Sequence, residues 1–510
     1  LNPSKQRKFL GFHTCSNEKT GMSSYILQED IPMKSEAIQP QEIVILKHQD
    51  VKPVDEPDIG HFKIFGRAWK TAENEPHRLF RPKYTHLYRS PFAYGGCLFE
   101  PSVLDDDDPR KSSGSFPYED SMDKWSRPQY EVDEELLDMV TDEVASWFAY
   151  TVQQQHLPVR VLTKTEAINR CTELDTSNPI WRKSSAGFPY SQWKGVKQKE
   201  TFFEMHEKKN GEMFYAFANN EFGKKLLNNT DAILHAAKQG KRTAVVFAGA
   251  LKDEPIKLKK IYDVTTSRSF AGCPLDYTIA NRMYFHSASA AIAMCRHIFP
   301  PAIGLNPRST EWNHLYHRLG SISDMGFDAD FKHWDASVLG TFMRRVWKVY
   351  DKIYQVNDKN YKEEDTTIRQ ALYSVLDGPL ITYHNHIVKC PGGQVSGQPN
   401  TAMDNSIINI MYYFYAWMKL ARIHDRKKAT FEKFLENVGL AVYGDDNLCT
   451  VKPGVLEWFN FNTVKAELQK FGLEMTPADK EVKEVGCKPL LEMEFLKRTF
   501  VQQGAIVIGP

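Results

Sequence analysis

The stretch Ala441-Val442-Tyr443-Gly444-Asp445-Asp446-Asn447-Leu448-Cys449 sets two carboxylates side by side between short apolar runs. Two apolar runs around a glycine-led pair read as strands joined by a tight turn. Such a turn brings both carboxylates to one point while the strands stay buried. Like charges held that close repel unless a cation neutralises them. Gly-Asp is also frequent at ordinary exposed turns, so the stretch gains its meaning from what else the chain carries.

A second acidic segment is Met325-Gly326-Phe327-Asp328-Ala329-Asp330-Phe331-Lys332-His333-Trp334-Asp335. From Met325 to Phe331 apolar residues alternate with polar ones or glycine, the period of a half-buried strand. Asp328 and Asp330 then share one face, and Asp335 follows the strand end, close enough to touch something bound there. Magnesium takes hard oxygen ligands, typically one or two carboxylates together with substrate phosphates. Two such ions about 3.5–4 Å apart clamp the attacking and leaving oxygens of an in-line phosphoryl transfer. Asp330 from the strand and Asp445 from the turn would supply the carboxylates, which points to nucleotidyl transfer.

Around these segments the chain reads as a folded enzyme. It has 510 residues, 42% of them hydrophobic, with 65 Lys plus Arg against 64 Asp plus Glu. That length calls for two or three subdomains and argues against disorder. No apolar run reaches the roughly 20 residues of a membrane span; the richest, residues 407–421, holds Lys419 and reads as a helix of the interior. The eight cysteines are scattered without a C-x-x-C pair, so neither a disulfide framework nor a zinc site is expected. Gly95-Gly96-Cys97 lacks the pattern of a protease nucleophile. Leu1 opens the chain with no secretory segment, as in a trimmed chain or a product cut from a larger precursor. Residues 194–268 carry 15 basic and 9 acidic side chains, a surplus that suits phosphate as well as a solvated surface. Residues 131–155 show a helical period with Leu136, Leu137, Val140, Val144 and Trp147 on one side. Residues 401–423 show another, in which Ile407, Ile408, Met411, Phe414, Tyr415 and Met418 read as core.

Taken together and in order, these motifs resemble the RNA-dependent RNA polymerases of picorna-like positive-strand viruses, with the nearest likeness to picornavirus and calicivirus enzymes. The likeness rests on Asp330 with Asp335-Ala336-Ser337, on Ser396-Gly397-Gln398-Pro399-Asn400-Thr401-Ala402-Met403-Asp404-Asn405, and on Tyr443-Gly444-Asp445-Asp446. It runs from about Arg81 to Phe500. The resemblance implies that Asp330, Asp445 and Asp446 hold Mg²⁺, for which Mn²⁺ can substitute. It implies that Asp335 meets the ribose of the incoming nucleotide in a network with Ser396, Thr401 and Asn405. A site built to bond a 2′-OH is what separates ribonucleotides from deoxynucleotides, and that argues against a reverse transcriptase. Gly392, Gly393 and Gly397 would suit a mobile loop near the template.

Leu251-Lys252-Asp253-Glu254-Pro255 with Ser267-Arg268-Ser269 resembles the basic finger of these enzymes. There Lys252 and Arg268 would neutralise triphosphate, with Glu254 positioning them. Ser184-Ser185-Ala186-Gly187-Phe188-Pro189-Tyr190 resembles the template-guiding loop, through Ser185 and Gly187. Lys480 would be the general acid for departing pyrophosphate, and Lys497 and Arg498 would grip the primer strand. More loosely, Arg81-Pro82-Lys83-Tyr84-Thr85 and residues 100–104 resemble the index finger.

The fold expected is α+β: a right-hand polymerase with fingers and an antiparallel palm sheet backed by helices, the thumb largely absent. Residues 1–75 would be an extension or linker, 76–320 the fingers, 321–500 the palm with a fingers insertion, and 501–510 the start of a thumb. The function expected is RNA-directed RNA polymerase, a nucleotidyltransferase of a viral polyprotein. Its partners would be RNA template and primer, ribonucleoside triphosphates, a protein primer and other viral replication proteins. It would lack a transmembrane segment and work in the host cytoplasm at membrane-associated replication complexes. The rival from another class is a catalytically silent RNA-binding scaffold.

Overall fold

The helical period over residues 131–155 becomes α1, Glu134–Gln154. Asp133 caps it, its carboxylate accepting the Leu136 N–H at 3.0 Å and satisfying one of the donors a helix start leaves open. This structure, a computed structural model, describes residues 42–70, 85–88, 98–128, 130–478 and 486–510, together with the backbone of short strands at 15–16, 23–24 and 75–76.

The alternating segment forms β1, Met325–Phe331. After it come α2 (Gly340–Asn357), which packs along α1, and α3 (Thr401–His424). The remaining palm strands are β2 (Val438–Tyr443), β3 (Asp446–Val451), β4 (Met475–Pro477) and β5 (Lys488–Pro489). The order across the sheet is β2-β3-β1-β4 and every pairing is antiparallel; β5 pairs with the start of β1. Because β1 has neighbours on both edges, Phe327, Asp328 and Ala329 are all buried, and its two faces are less different than simple alternation predicts. Behind the sheet α3 is buried on nearly every side: Ile407, Ile408, Met411, Phe414, Tyr415 and Met418 are core, as their spacing predicts. The antiparallel sheet backed by helices is the palm expected.

A larger mixed sheet lies beside the palm, in the order Ser269–Gly272, Val246–Leu251, Leu380–Tyr383, His386–Lys389, Lys63–Lys70 and Val51–Pro53, with Glu75–Pro76 on Lys63–Lys70. The expected extension over residues 1–75 is corrected here over its described part, because residues 51–53 and 63–70 are strands of this sheet, and Phe62 and Ala68 lie in the core. Gly66 breaks the alternation that would have marked the strand, and it is required: a Cβ there would stand 2.6 Å from the Lys52 carbonyl oxygen. Residues 104–128 include the helix Pro117–Met122 and a buried Trp125.

Two hairpins close the chain. Glu494–Phe495 pairs with Arg498–Thr499, and Val501–Gln503 with Ile506–Ile508. The second lies on the helix Thr310–Gly320, with the Val507 N–H donating to Asn313 Oδ1 at 2.8 Å. Residues 501–510, expected to begin a thumb, form this hairpin. No helix among the described residues is long and apolar enough to cross a membrane.

Candidate active site

Tyr443 pairs with Asp446, so Gly444 and Asp445 are the two turn residues. Gly444 has φ +65°, the left-handed region that the first position of a type II′ hairpin turn needs. The turn is pinned from α3. Ser406 Oγ accepts the Gly444 N–H at 3.0 Å, and Asn409 Nδ2 donates to the Gly444 carbonyl at 3.0 Å. The Tyr413 hydroxyl donates to Asn447 Oδ1, whose Nδ2 in turn donates to the Asp445 carbonyl at 2.9 Å. Ser406, Asn409 and Tyr413 recur at helical spacing on one face of an otherwise apolar helix. Sequence reading passed over them, although that polar stripe was a signal.

Three carboxylates converge at this turn. β1 and β3 pair Asp328 with Leu448 and Ala329 with Asn447, and one further step of that register sets Asp330 opposite Asp446. Burial, with the charge of Asp330, raises the Asp445 carboxyl above its usual range. Burial pushes Asp446 up to about 7, aided by Asp445 and Asp330, while a backbone hydrogen bond from Leu496 works the other way. Mutual repulsion in a half-dry site is what a cation would relieve. Among the described residues no three His, Cys, Asp or Glu side chains are gathered tightly enough to hold an ion by themselves. Hard oxygens in small number, leaving room for phosphate oxygens, fit magnesium better than zinc.

Asp328, on the same strand, is already partnered. Its buried carboxylate pairs with Lys488 Nζ at 2.8 Å and accepts the Glu494 N–H at 2.5 Å, so its charge is already answered.

The basic finger faces the carboxylates. Arg268 grips Glu254 with both arms of its fork, Nε to Oε1 at 2.6 Å and Nη2 to Oε2 at 2.5 Å. Lys252 Nζ lies 3.4 Å from the same carboxylate. Glu254 thus orients both cations, and Arg268 is near enough to Asp335 and Asp445 to favour their charged forms. Burial and the charge of Asp445 nevertheless push Asp335 up to about 6.

Among the described residues, the side chains of the residues expected at the ribose make no hydrogen bond to one another, although the Thr401 hydroxyl reaches the Ser396 carbonyl at 3.2 Å. Ser396 Oγ accepts the Ala271 N–H at 3.4 Å. The Thr401 hydroxyl is turned to backbone carbonyls, with Gln398 O nearest at 2.9 Å. Asn405 lies beside Gly444, and its Oδ1 is buried with no hydrogen-bond partner among the described residues. A buried acceptor left open at a cleft is costly unless a ligand donates to it. Close approach explains the loop glycines: a Cβ at Gly397 would stand 2.2 Å from the Ala271 carbonyl, and one at Gly393 2.7 Å from Trp125.

Ser185 is exposed, while Gly187 (φ +73°) is packed against the Cys273 carbonyl. Lys497 is exposed at the tip of the hairpin turn, and Arg498 Nη1 donates to the Gly509 carbonyl at 2.9 Å. Lys480, the expected general acid, lies outside the described residues, as do residues 81–84.

With this geometry in view, comparisons with known proteins converge. Residues 90–510 match the family described as viral RNA-dependent RNA polymerase. The chain is 30% identical over 420 residues to the RNA1 polyprotein of Grapevine fanleaf virus, taking in 81% of this chain and 17% of the polyprotein. It is 27% identical over 422 residues to the RNA1 polyprotein of Tomato ringspot virus (isolate raspberry), covering 80% and 18%. The chain thus spans less than a fifth of the length of these two relatives. Among solved structures, the Sicinivirus 3Dpol RNA dependent RNA polymerase superposes with a TM-score of 0.67 at 18% identity, over 84% of this chain and 82% of that one. At that identity the likeness concerns the fold.

Proposed function

The chain belongs to the viral RNA-dependent RNA polymerase family, and on that premise we propose that it extends an RNA primer on an RNA template with ribonucleoside triphosphates. The observation that carries this reading is the meeting of Asp330, Asp445 and Asp446 in front of Arg268 and Lys252, with Asp335 and Asn405 at the side. In the step proposed, the primer 3′-OH attacks the α-phosphorus, a new P–O bond forms, and the bond to pyrophosphate breaks. Asp330, Asp445 and Asp446 would hold two Mg²⁺ ions, which when bound supply Lewis-acid stabilisation of the oxygens that change charge.

Each remaining role falls to a residue of the chain. Arg268 and Lys252 neutralise the triphosphate, and the Glu254 carboxylate keeps the Arg268 fork aimed. Asn405 Oδ1 accepts from a ribose hydroxyl, which would satisfy its open lone pairs. Asp335 supports the same hydroxyls. Lys480 is assigned the proton delivered to pyrophosphate from the resemblance alone, and so are template guidance by Ser185 and Gly187 and the primer grip of Lys497 and Arg498. On the same ground we assign the chain to a picorna-like positive-strand virus, released from a polyprotein, working at membrane-associated replication complexes in the host cytoplasm with a protein primer and other replication proteins.

Primed extension of a homopolymeric RNA template with labelled ribonucleotides tests the proposal, run with Mg²⁺, with Mn²⁺ and with EDTA beside Asp445→Ala. Metal-dependent extension that disappears in the variant supports it. Extension that survives Asp445→Ala, or that prefers deoxynucleotides, overturns it, as does failure to extend any primed RNA.

A further inference from the structure

Directly beneath the loop of residues 396–401 lies a carboxylate that the proposed chemistry does not use. Asp404 is fully buried and accepts three hydrogen bonds. The Tyr350 hydroxyl reaches Oδ1 at 2.7 Å, and the Tyr373 hydroxyl and Gln398 Nε2 each reach Oδ2 at 2.8 Å. Tyr350 comes from α2 and Tyr373 from the helix Glu363–Ser374, so two separate helices hold the acid from below. Burying a carboxylate costs several kcal/mol. Three aligned donors offset that cost only while each stays in place.

The third donor leads upward to the loop. Gln398 uses all of its polar atoms as a bracket. Nε2 goes down to Asp404, Oε1 accepts the Asn400 N–H at 2.8 Å, and the backbone carbonyl accepts the Thr401 hydroxyl at 2.9 Å. Asn400 Nδ2 then donates to Asn281 Oδ1 at 3.1 Å. The loop therefore has little freedom to rotate about Gln398. The Ser396 side chain and the start of α3, which carries Asn405, are the two ends of that bracket.

We infer that Asp404 and Gln398 are positioning residues that set the shape of the 396–401 loop and, through it, the preference for ribose over 2′-deoxyribose. This rests on the polymerase reading above. An apolar pair could fill the same space, so the geometry of donors and acceptors, rather than packing, is what the buried carboxylate adds.

The test exploits donor–acceptor polarity. Gln398→Glu sets a second carboxylate against Asp404, and the loop is forced off its seat. Adding Asp404→Asn returns a donor facing an acceptor, with the roles exchanged. Single-nucleotide incorporation with ribo- and 2′-deoxyribonucleotides is expected to show discrimination reduced about tenfold in Gln398→Glu, the size of one hydrogen bond lost in a preorganised site. In the double variant it should return to within about threefold of the parent. Gln398→Met, uncharged and of similar shape, removes the donor and should lower discrimination as well.

A purely structural role would move stability and leave the ratio of the two substrates unchanged, and that result overturns the inference. Backbone amide exchange over residues 394–401 gives a second readout that needs no activity: faster in Gln398→Glu, restored in the double variant. If the parent chain extends no primer, the polymerase reading fails. The exchange pattern then decides the bracket alone, and unchanged exchange in Gln398→Glu overturns it.

Discussion

The Asp446 carboxylate accepts the backbone N–H of Leu496 at 2.7 Å, joining the start of β3 to the hairpin that closes over it. Two residues earlier along that hairpin, the Glu494 N–H bonds to Asp328 at 2.5 Å. Alternate amides along this hairpin thus hang on two aspartates of the palm, one at the start of β3 and one in β1. Whatever shifts the hairpin shifts Asp446 with it. Leu496 and Lys497 form its turn with φ +54° and +57°, a left-handed pair that residues with a Cβ adopt at a cost of about 1–2 kcal/mol each.

Lys497→Asn should separate strain from function. Asparagine tolerates the left-handed region better than lysine, so the melting temperature is expected to rise, by an amount equivalent to about 0.5–1 kcal/mol. The lost charge should weaken binding to primed RNA and flatten its salt dependence. Thermal melts and fluorescence anisotropy on one preparation check both. If stability and RNA affinity fall together, the turn is not strained at Lys497.

Asp328 and Asp330 stand two residues apart and should answer very differently to mutation. Lys488→Met leaves the buried Asp328 carboxylate facing no cation. It is expected to destabilise the protein by about 2–3 kcal/mol, less than for a fully buried pair because Lys488 is partly exposed. Extension per folded molecule should change little. Asp330→Asn should leave the melt near that of the parent and remove extension by about a thousandfold or more. Equal loss of activity in both variants would mean that Asp328 serves the chemistry after all.

Arg268 is predicted to depend on Glu254 for its aim. Arg268→Lys replaces a planar fork by a point charge, and kcat/KM for the incoming nucleotide is expected to fall about 100-fold. Glu254→Gln, which keeps shape but weakens the grip, should cost about tenfold. The double variant should be little worse than Arg268→Lys alone, since the two act as one unit. Multiplicative losses would show two independent roles.

What could be read from residue order followed the strength of local periodicity. β1, α1, α3 and the Gly444-Asp445 turn each lie in a segment whose apolar spacing has one reading, and the carboxylates came with them. The strands at 51–53 and 63–70 escaped because Gly66 interrupts the alternation for the sake of the Lys52 carbonyl, a constraint that exists only once the sheet is built. The network expected among Asp335, Ser396, Thr401 and Asn405 shows the same limit. Spacing brings these residues to one loop, but whether a hydroxyl turns to a carbonyl or a carboxylate is decided by tertiary neighbours. Asp404 and Lys488 carried no local sign of importance, since their partners lie on other elements.

The ionisation of Asp404 makes a last prediction, independent of catalysis. Burial pushes this carboxyl up to about 7, with Tyr350, Tyr373 and Gln398 holding it back, whereas in the unfolded chain an aspartate titrates near pH 4. Between those values the folded state binds the proton and the unfolded state does not. The contribution to stability is therefore fully present below about pH 4, declines as pH rises, and is lost above about pH 7. Asp404→Asn cannot ionise and lacks this slope, whatever constant offset its altered hydrogen bonds introduce. The difference in melting temperature between variant and parent should move in favour of the variant from pH 5 to pH 8 and level off beyond. A difference independent of pH would mean that the three donors keep Asp404 ionised throughout. The carboxylate would then be a fixed anion under the 396–401 loop, and its burial would be fully compensated.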